Sequence, residues 1–92
     1  GLTVNGSSKV VIENCVFDDL YSGIWFNGGE CSVKNCEFTY SGTMNAMNVD
    51  GLSGVLTVED CAFDGPATQK DIYCANASTA MKVEGEGFTI GF

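Results

Sequence analysis

Carboxylates beside the loops are the first residues of the sequence that could do chemistry. Asp18 and Asp64 hold the same position in two related segments, and Asp19 and Asp71 lie in the same connecting regions. With strands stacked about 4.8 Å apart and one strand between them, Asp18 and Asp64 lie roughly 10 Å apart, near the widest carboxyl separation of inverting glycosidases. A solvated acidic edge explains the same residues, and we favour it over catalysis. Weak Ca²⁺ binding by Asp18, Asp19 and Asp64 is a third interpretation, because calcium prefers oxygen ligands.

Aromatic and amide side chains form a second candidate site, suited to binding sugars. Trp25, Asn48 and Tyr73 are predicted to lie in one outward-facing column on three successive strands. Aromatic planes can stack on sugar rings while the amide hydrogen-bonds to a hydroxyl. Tyr21 and Tyr40 stand in nearby loops and are the other candidate glycan contacts. The alternative is that aromatic residues simply favour strands and cover their neighbours.

The charge balance narrows the classes of partner. The 92-residue chain has a net charge of −8, and its four basic residues are all Lys. Neutralising phosphates requires a basic face, so we expect no nucleic-acid partner, and an acidic chain disfavours binding to anionic membranes. No apolar run approaches the roughly 18 residues of a membrane-spanning helix, so no membrane insertion is expected.

A repeat that fills most of the chain must position these candidate residues. The eight-residue pattern VVIENCVF at residues 10–17 returns at 31–38 (CSVKNCEF), 56–63 (LTVEDCAF) and, less closely, 81–88 (MKVEGEGF). Its first, third, sixth and eighth positions are apolar or Cys, except for Glu86. Apolar and polar residues alternate with a period of two in each half of the unit, and this alternation changes phase in the middle. This pattern predicts two short strands joined by a bend.

The bend falls on residue types that tolerate a left-handed backbone. In the four copies these residues are Asn14, Asn35, Asp60 and Gly85. If equivalent residues stack, the corner side chains Asn14, Asn35 and Asp60 form a ladder that can hydrogen-bond from strand to strand. The last position of the unit predicts a buried aromatic ladder of Phe17, Phe38, Phe63 and Phe88.

A further strand precedes each unit and ends in a turn signal such as Asn-Gly or Asp-Gly. These strands are predicted at residues 2–6, 24–28, 47–51 and 72–76. The units begin at residues 10, 31, 56 and 81, which gives periods of 21, 25 and 25 residues. Length changes that are confined to loops are typical of stacked coils. We therefore predict a single segment, 1–92, with coils at approximately 2–23, 24–46, 47–71 and 72–92. No segment keeps a helical period over ten residues, so no helix is expected.

Five cysteines could form a disulfide framework, but their number is odd. Cys15, Cys36 and Cys61 share one slot of the repeat, whereas Cys31 and Cys74 replace larger apolar residues in other slots. We favour reduced thiols packed as small apolar side chains. A disulfide between adjacent coils is the alternative, because a spacing of about 4.8 Å falls within the allowed Cα separation. A metal site is disfavoured, since the sequence has no CxxC motif and no His.

The VxIxNCxF-like units at 10–17, 31–38, 56–63 and, more weakly, 81–88 resemble those of the right-handed parallel β-helix, or pectin-lyase-like, family. The resemblance covers nearly the whole chain. It implies an all-β, right-handed parallel β-helix solenoid with about three and a half coils of 21–25 residues. Enzymes of this family cleave polysaccharides with Ca²⁺ and an Arg or Lys base, or with several Asp and an essential His. None of their motifs matches a numbered position of this chain, which has neither Arg nor His.

Two functional hypotheses follow. The first is a non-catalytic scaffold or binding module of a bacterial extracellular or cell-surface protein, which contacts a polysaccharide or a host or cell-surface protein. The alternative is a fragment of a polysaccharide lyase or glycoside hydrolase whose catalytic residues lie outside this segment. No cofactor is expected other than weakly bound Ca²⁺. Neither end resembles a polar cap, so we expect a piece of a longer protein and end-to-end self-association through uncapped coils.

Overall fold

The computed structural model describes residues 2–18 and 22–92. Asp19 and Tyr21 therefore lie outside the described residues. The described strands are β1 (Leu2–Glu13), β2 (Val16–Asp18), β3 (Ser22–Lys34), β4 (Glu37–Thr39), β5 (Asn45–Gly51), β6 (Leu56–Glu59), β7 (Ala62–Asp64), β8 (Ile72–Cys74), β9 (Val83–Gly85) and β10 (Ile90–Gly91). One short helix, α1 (Ala77–Ala80), lies between β8 and β9.

Strands from successive coils pair in parallel and build two sheets. One sheet has the order β10-β8-β5-β3-β6-β9, with β1 paired to β3, and the other has the order β2-β4-β7. All the pairings among the described strands are parallel. Each strand therefore lies beside its equivalent in the next coil, and the predicted all-β parallel solenoid is confirmed.

The two longest strands, β1 and β3, each run through the predicted turn and end one residue before the predicted bend. The register joins Leu2 to Ile24 and Ile12 to Val33, with an irregularity between Gly6 and Lys9. Gly28 has a φ of 124°, and a Cβ there would collide with the backbone of Gly6 on the adjacent strand. Only glycine allows the two chains to approach this closely.

Alternate side chains of these strands point inward and form the core. Ile24, Phe26, Val33, Met47 and Leu56 are completely buried. Equivalent positions stack along the solenoid, so each coil covers the inward residues of the one before. One coil alone cannot hide its apolar face, and stacking is what makes the core continuous.

The corner is the most regular part of the repeat. Asn14, Asn35 and Asp60 have φ values of 56°, 54° and 52°. The Asn35 side-chain amide donates a hydrogen bond to Oδ1 of Asn14 at 2.7 Å. The three short polar side chains thus tolerate a left-handed backbone, and the hydrogen bond between Asn14 and Asn35 joins the first two corners of the predicted ladder.

Aromatic rings follow the corner at the same position of three coils. The ring centroids of Phe17 and Phe38 lie 4.8 Å apart with an interplanar angle of 3°. Phe38 and Phe63 lie 5.1 Å apart at 6°. Phe38 is buried, whereas Phe17 and Phe63 are half-buried. We call these three residues the phenylalanine stack.

The fourth copy, residues 81–88, departs from the predicted register by two residues. Leu56 pairs with Val83 and not with Met81, and Val58 pairs with Gly85. Phe88 meets Phe63 edge-on, with centroids 6.3 Å apart and an angle of 64°. Phe88 therefore contacts the end of the predicted aromatic ladder edge-on and does not stack parallel to it as the rings of the phenylalanine stack do.

The expectation that the chain has no helix was wrong, and the helix explains this shift. The Asn76 side chain accepts a hydrogen bond from the Thr79 backbone amide at 2.9 Å and caps α1. Met81 is the C-cap residue of α1, and its side chain is exposed. The residue predicted to open the fourth strand is thus part of the helix end. A four-residue helix is too short to show a 3.6-residue period in sequence.

Candidate functional site

The parallel register brings the predicted glycan-binding residues together on the outside of the solenoid. Trp25 on β3 pairs with Asn48 on β5, which pairs with Tyr73 on β8. The side chains of Trp25 and Tyr73 are 42% and 48% exposed, and Asn48 is half-buried. We call Trp25, Asn48 and Tyr73 the aromatic column.

Small residues flank this column and leave its rings accessible. Thr3 lies beside Trp25 on the preceding strand, and Gly91 lies beside Tyr73 on the following one. Gly91 has no side chain to cover the tyrosine ring. The residues that alternate with the column, such as Ile24 and Phe26, are completely buried, so the same strands anchor the column firmly in the core.

A carboxylate orients the indole of Trp25. Nε1 of Trp25 donates a hydrogen bond to Oδ2 of Asp50 at 2.8 Å. Asp50 is exposed and follows Asn48 by two residues on β5. Sequence reasoning missed Asp50 as a member of this site. The signal was the two-residue period of the strand, which places Asn48 and Asp50 on the same face.

Tyr40 must be removed from the predicted surface contacts. Its side chain is only 5% exposed, and its hydroxyl donates a hydrogen bond to Oδ1 of Asp71. Burial, and then the hydrogen bond to the Asp71 carboxylate, raise the pKa of Tyr40. Oδ2 of Asp71 in turn accepts a hydrogen bond from the backbone amide of Thr89 at 2.9 Å. Tyr40 directly follows β4 and lies two residues after the buried Phe38, so it falls on the inward face of that strand and not in the exposed loop where it was expected.

The comparison with protein families decides the identity of this fold. The family model described as the right handed beta helix region matches residues 1–86. The chain belongs to this family. No curated protein and no solved structure is significantly similar to it. The β-helix is thus a scaffold-type module, whose coils hold outward-facing columns at fixed spacing, and its right-handed course agrees with the resemblance of the repeated units.

The predicted carboxylate pair lies on the third strand of each coil. Asp18 pairs with Thr39, which pairs with Asp64, so the two carboxylates occupy equivalent positions two coils apart. Both residues are exposed. Among residues 2–18 and 22–92, no group of three or more His, Cys, Asp or Glu residues could hold a metal ion. Asp50 and Asp71, in contrast, hold the side-chain hydrogen bonds to Trp25 and Tyr40 described above.

The five cysteines are free thiols. Cys31, Cys36 and Cys74 are buried, and Cys15 and Cys61 are half-buried. Burial raises the pKa of Cys31 to about 11 and also raises the pKa of Cys74. These two thiols therefore remain protonated at neutral pH and pack as small apolar side chains.

The described part of the chain contains no helix with the length and apolar character that crossing a membrane requires.

Proposed function

We propose that this β-helix is a non-catalytic binding module of a bacterial extracellular or cell-surface protein, and that its aromatic column binds a neutral glycan. The observation that carries the proposal is the pair of exposed rings, Trp25 and Tyr73, separated by the amide of Asn48 on the intervening strand. The site thus combines two apolar platforms with one group that can donate and accept hydrogen bonds.

The spacing of the column suits a polymer. Trp25 and Tyr73 are two strands apart, which corresponds to roughly 10 Å at about 4.8 Å per strand. A glycan chain that lies along the solenoid axis then contacts the two rings with different sugar units. The amide of Asn48 lies between them and can reach a hydroxyl of the sugar chain.

The fixed orientation of the Trp25 indole supports the proposal as well. The hydrogen bond from Trp25 to Asp50 fixes the indole before a ligand arrives. A fixed ring loses less conformational freedom on binding than a mobile one. Asp50 also has a second carboxylate oxygen, which can accept a hydrogen bond from a sugar hydroxyl.

Charge favours a neutral glycan over an acidic one. The chain has a net charge of −8, and Asp50 places a carboxylate directly beside Trp25. Uronate or sulfate groups would approach this face against electrostatic repulsion, which slows association and weakens binding at low salt. Neutral polymers such as glucans or mannans avoid that cost. Such polymers are abundant at cell surfaces, which is the reason for the proposed location.

Fluorescence tests the proposal directly, because Trp25 is the one tryptophan of the chain. We expect titration with neutral oligosaccharides of several sugar units to shift or quench its emission, and matched acidic oligosaccharides to have less effect. Calorimetry on Trp25→Ala and Tyr73→Ala should show binding at least tenfold weaker, or about 1.4 kcal/mol.

Val16→Ala provides a matched control. This exposed apolar residue lies on β2, outside the aromatic column, so its replacement should leave glycan affinity unchanged. The proposal fails if no neutral glycan binds. It also fails if a bound glycan is insensitive to both aromatic substitutions.

A further inference from the structure

Three cysteines form a column of their own inside the β-helix. The Cys15 carbonyl accepts a hydrogen bond from the Glu37 amide at 2.9 Å, and the Cys36 carbonyl accepts one from the Ala62 amide at 3.0 Å. The same backbone contact thus recurs from coil to coil, which makes Cys15, Cys36 and Cys61 equivalent positions. We call these three residues the thiol column.

The sulfur atoms of the column have similar environments. Sγ of Cys15, Cys36 and Cys61 each donate to the carbonyl two residues earlier, at 3.2, 3.4 and 3.2 Å. Sγ of Cys36 also lies 3.7 Å from the Ile12 carbonyl, and Sγ of Cys61 lies 3.8 Å from the Val33 carbonyl. Both sulfurs therefore lean toward the preceding coil, where the next thiol of the column is found.

Neighbouring positions of the column meet the distance requirement of a disulfide. Strands in register lie about 4.8 Å apart, within the Cα separation of roughly 4.4–6.8 Å that disulfides allow. The Cβ atoms need to close to about 3.8 Å, so oxidation requires the two neighbouring corners to move closer together. Cys15 and Cys61 are two coils apart and cannot reach each other.

We propose that the thiol column is an oxidation site, in which Cys36 forms a disulfide with one of its two neighbours, Cys15 or Cys61. The remaining neighbour keeps its thiol, because a column of three can form only one bond. The central residue is thus a required partner. The proposal concerns the interior of the β-helix and does not depend on glycan binding.

A small-molecule disulfide serves as the oxidant. The half-buried thiol of Cys15 or Cys61 attacks it, which forms a mixed disulfide and releases one equivalent of small thiol. Cys36 then attacks the protein sulfur of the mixed disulfide and displaces the second equivalent, which leaves with the proton of Cys36. Two protein thiols are oxidised and one oxidant disulfide is reduced to two thiols. Burial raises the pKa of Cys36, which favours entry of the oxidant at the half-buried positions.

The two other cysteines are internal controls. Cys31 lies between Val10 and Leu56 in its ladder, and Cys74 lies beside Val49. Neither has a cysteine at an equivalent position of the neighbouring described strand. Both should therefore keep their thiols under conditions that oxidise the thiol column.

Intact-mass spectrometry and thiol counting on the folded chain, before and after incubation with oxidised glutathione, test the proposal. An internal disulfide lowers the mass by two hydrogen atoms and leaves three of the five thiols. Peptide mapping should find Cys36 in every cross-linked pair. A chain that keeps five thiols, accumulates only glutathione adducts or cross-links Cys31 or Cys74 would overturn the proposal.

Two substitutions sharpen the test. Cys36→Ala should abolish the internal disulfide, whereas Cys31→Ala, which also removes a buried thiol, should leave it intact. A disulfide that persists in Cys36→Ala contradicts the assignment. Should that variant fail to fold, the mapped disulfide of the unmodified chain decides the matter by itself.

Discussion

The first three copies of the repeat and the fourth copy differ in how their side chains stack. At the corner of the first three copies, Asn14, Asn35 and Asp60 share nearly the same φ, and the rings that follow lie parallel. In the fourth copy, Gly85 has a φ of 129° and lies opposite Val58, and Phe88 approaches Phe63 edge-on. Regular stacking therefore ends at the third coil.

This difference shows what holds a coil in register. In the first three copies an apolar side chain or a thiol fills every inward position of the unit. The fourth copy has Glu86 at the position of the thiol, and α1 occupies the residues before its strand. The strand then begins at Val83, which places an aliphatic residue over Leu56. Inward apolar contacts fix the register, and the repeat pattern is kept only where they agree with it.

A polar network joins these two regions. Tyr40, at the end of the second coil, donates to Asp71, and Asp71 accepts from the backbone amide of Thr89. The Thr89 hydroxyl accepts from the Asp71 amide at 2.9 Å in return. Hydrogen bonds thus attach the segment after the fourth copy to the first three coils. Parallel ring stacking does not extend to this segment.

The largest expected difference between the regions concerns their phenylalanines. Phe38 is 2% exposed and stacks on both sides, whereas Phe88 is half-buried with one edge-on contact. We expect Phe38→Ala to lower the free energy of unfolding by about 3–5 kcal/mol and Phe88→Ala by about 1–2 kcal/mol. Urea denaturation of both variants measures the difference.

Equal losses for the two substitutions would contradict the comparison. The total stability of a chain of this size is roughly 5–14 kcal/mol, so Phe38→Ala could leave too little folded protein to measure. Phe38→Leu and Phe88→Leu then replace the alanine pair. They keep most of the apolar volume, and the loss of ring stacking should again be larger at Phe38.

Breaking the polar network of Tyr40, Asp71 and Thr89 is expected to have an intermediate effect on the free energy of unfolding. The raised pKa of Tyr40 means that its neutral form is favoured in the folded state. Its contribution to stability is therefore complete below the unfolded pKa of about 10 and is lost as the pH rises above that value. We expect Tyr40→Phe to cost about 1.5 kcal/mol near neutral pH, because a hydrogen bond to a carboxylate is removed.

Urea denaturation as a function of pH measures this effect. The free energy of unfolding of the unmodified chain should fall more steeply above about pH 10 than that of Tyr40→Phe. Two parallel curves would show that the Tyr40 hydroxyl does not contribute in the way described.

The sequence predicted the first three copies of the repeat better than the fourth copy and the polar contacts around it. The repeated apolar positions and the polar corner residues were enough to predict the parallel fold and the neighbours of Trp25, because both depend on a two-residue period. Side-chain hydrogen bonds were not visible in that period. The cap of Asn76 on α1 joins residues near in sequence, and the contact between Tyr40 and Asp71 joins residues far apart. The shift of the fourth copy and the partner of Tyr40 were missed for that reason. The burial of Tyr40 could have been predicted, because the two-residue period places it on the same face as Phe38.

The smallest predicted effect on stability concerns the side chains of the corner ladder, Asn14, Asn35 and Asp60. Asn35 donates to Asn14, and Asp60 follows at the next corner position with a carboxylate. We expect Asp60→Asn to extend the amide ladder, because its side chain can donate to Oδ1 of Asn35, and to stabilise the fold by about 0.5–1 kcal/mol. Thermal or urea unfolding would detect the change.

Asp60→Ala is the matched control. It removes the side chain but keeps the left-handed backbone at this position, which costs an alanine roughly 1–2 kcal/mol. A stabilising alanine, or a destabilising asparagine, would show that the corner ladder does not act through side-chain hydrogen bonds.

Nuclear Overhauser contacts between backbone protons of adjacent strands test the parallel register most directly. The structure predicts contacts of Leu56 with Cys31 on one side and with Val83 on the other, together with ring contacts from Phe38 to Phe17 and Phe63. Contacts from Leu56 to Met81, or the pattern of an antiparallel hairpin, would contradict the stacked coils on which the aromatic column and the thiol column both depend.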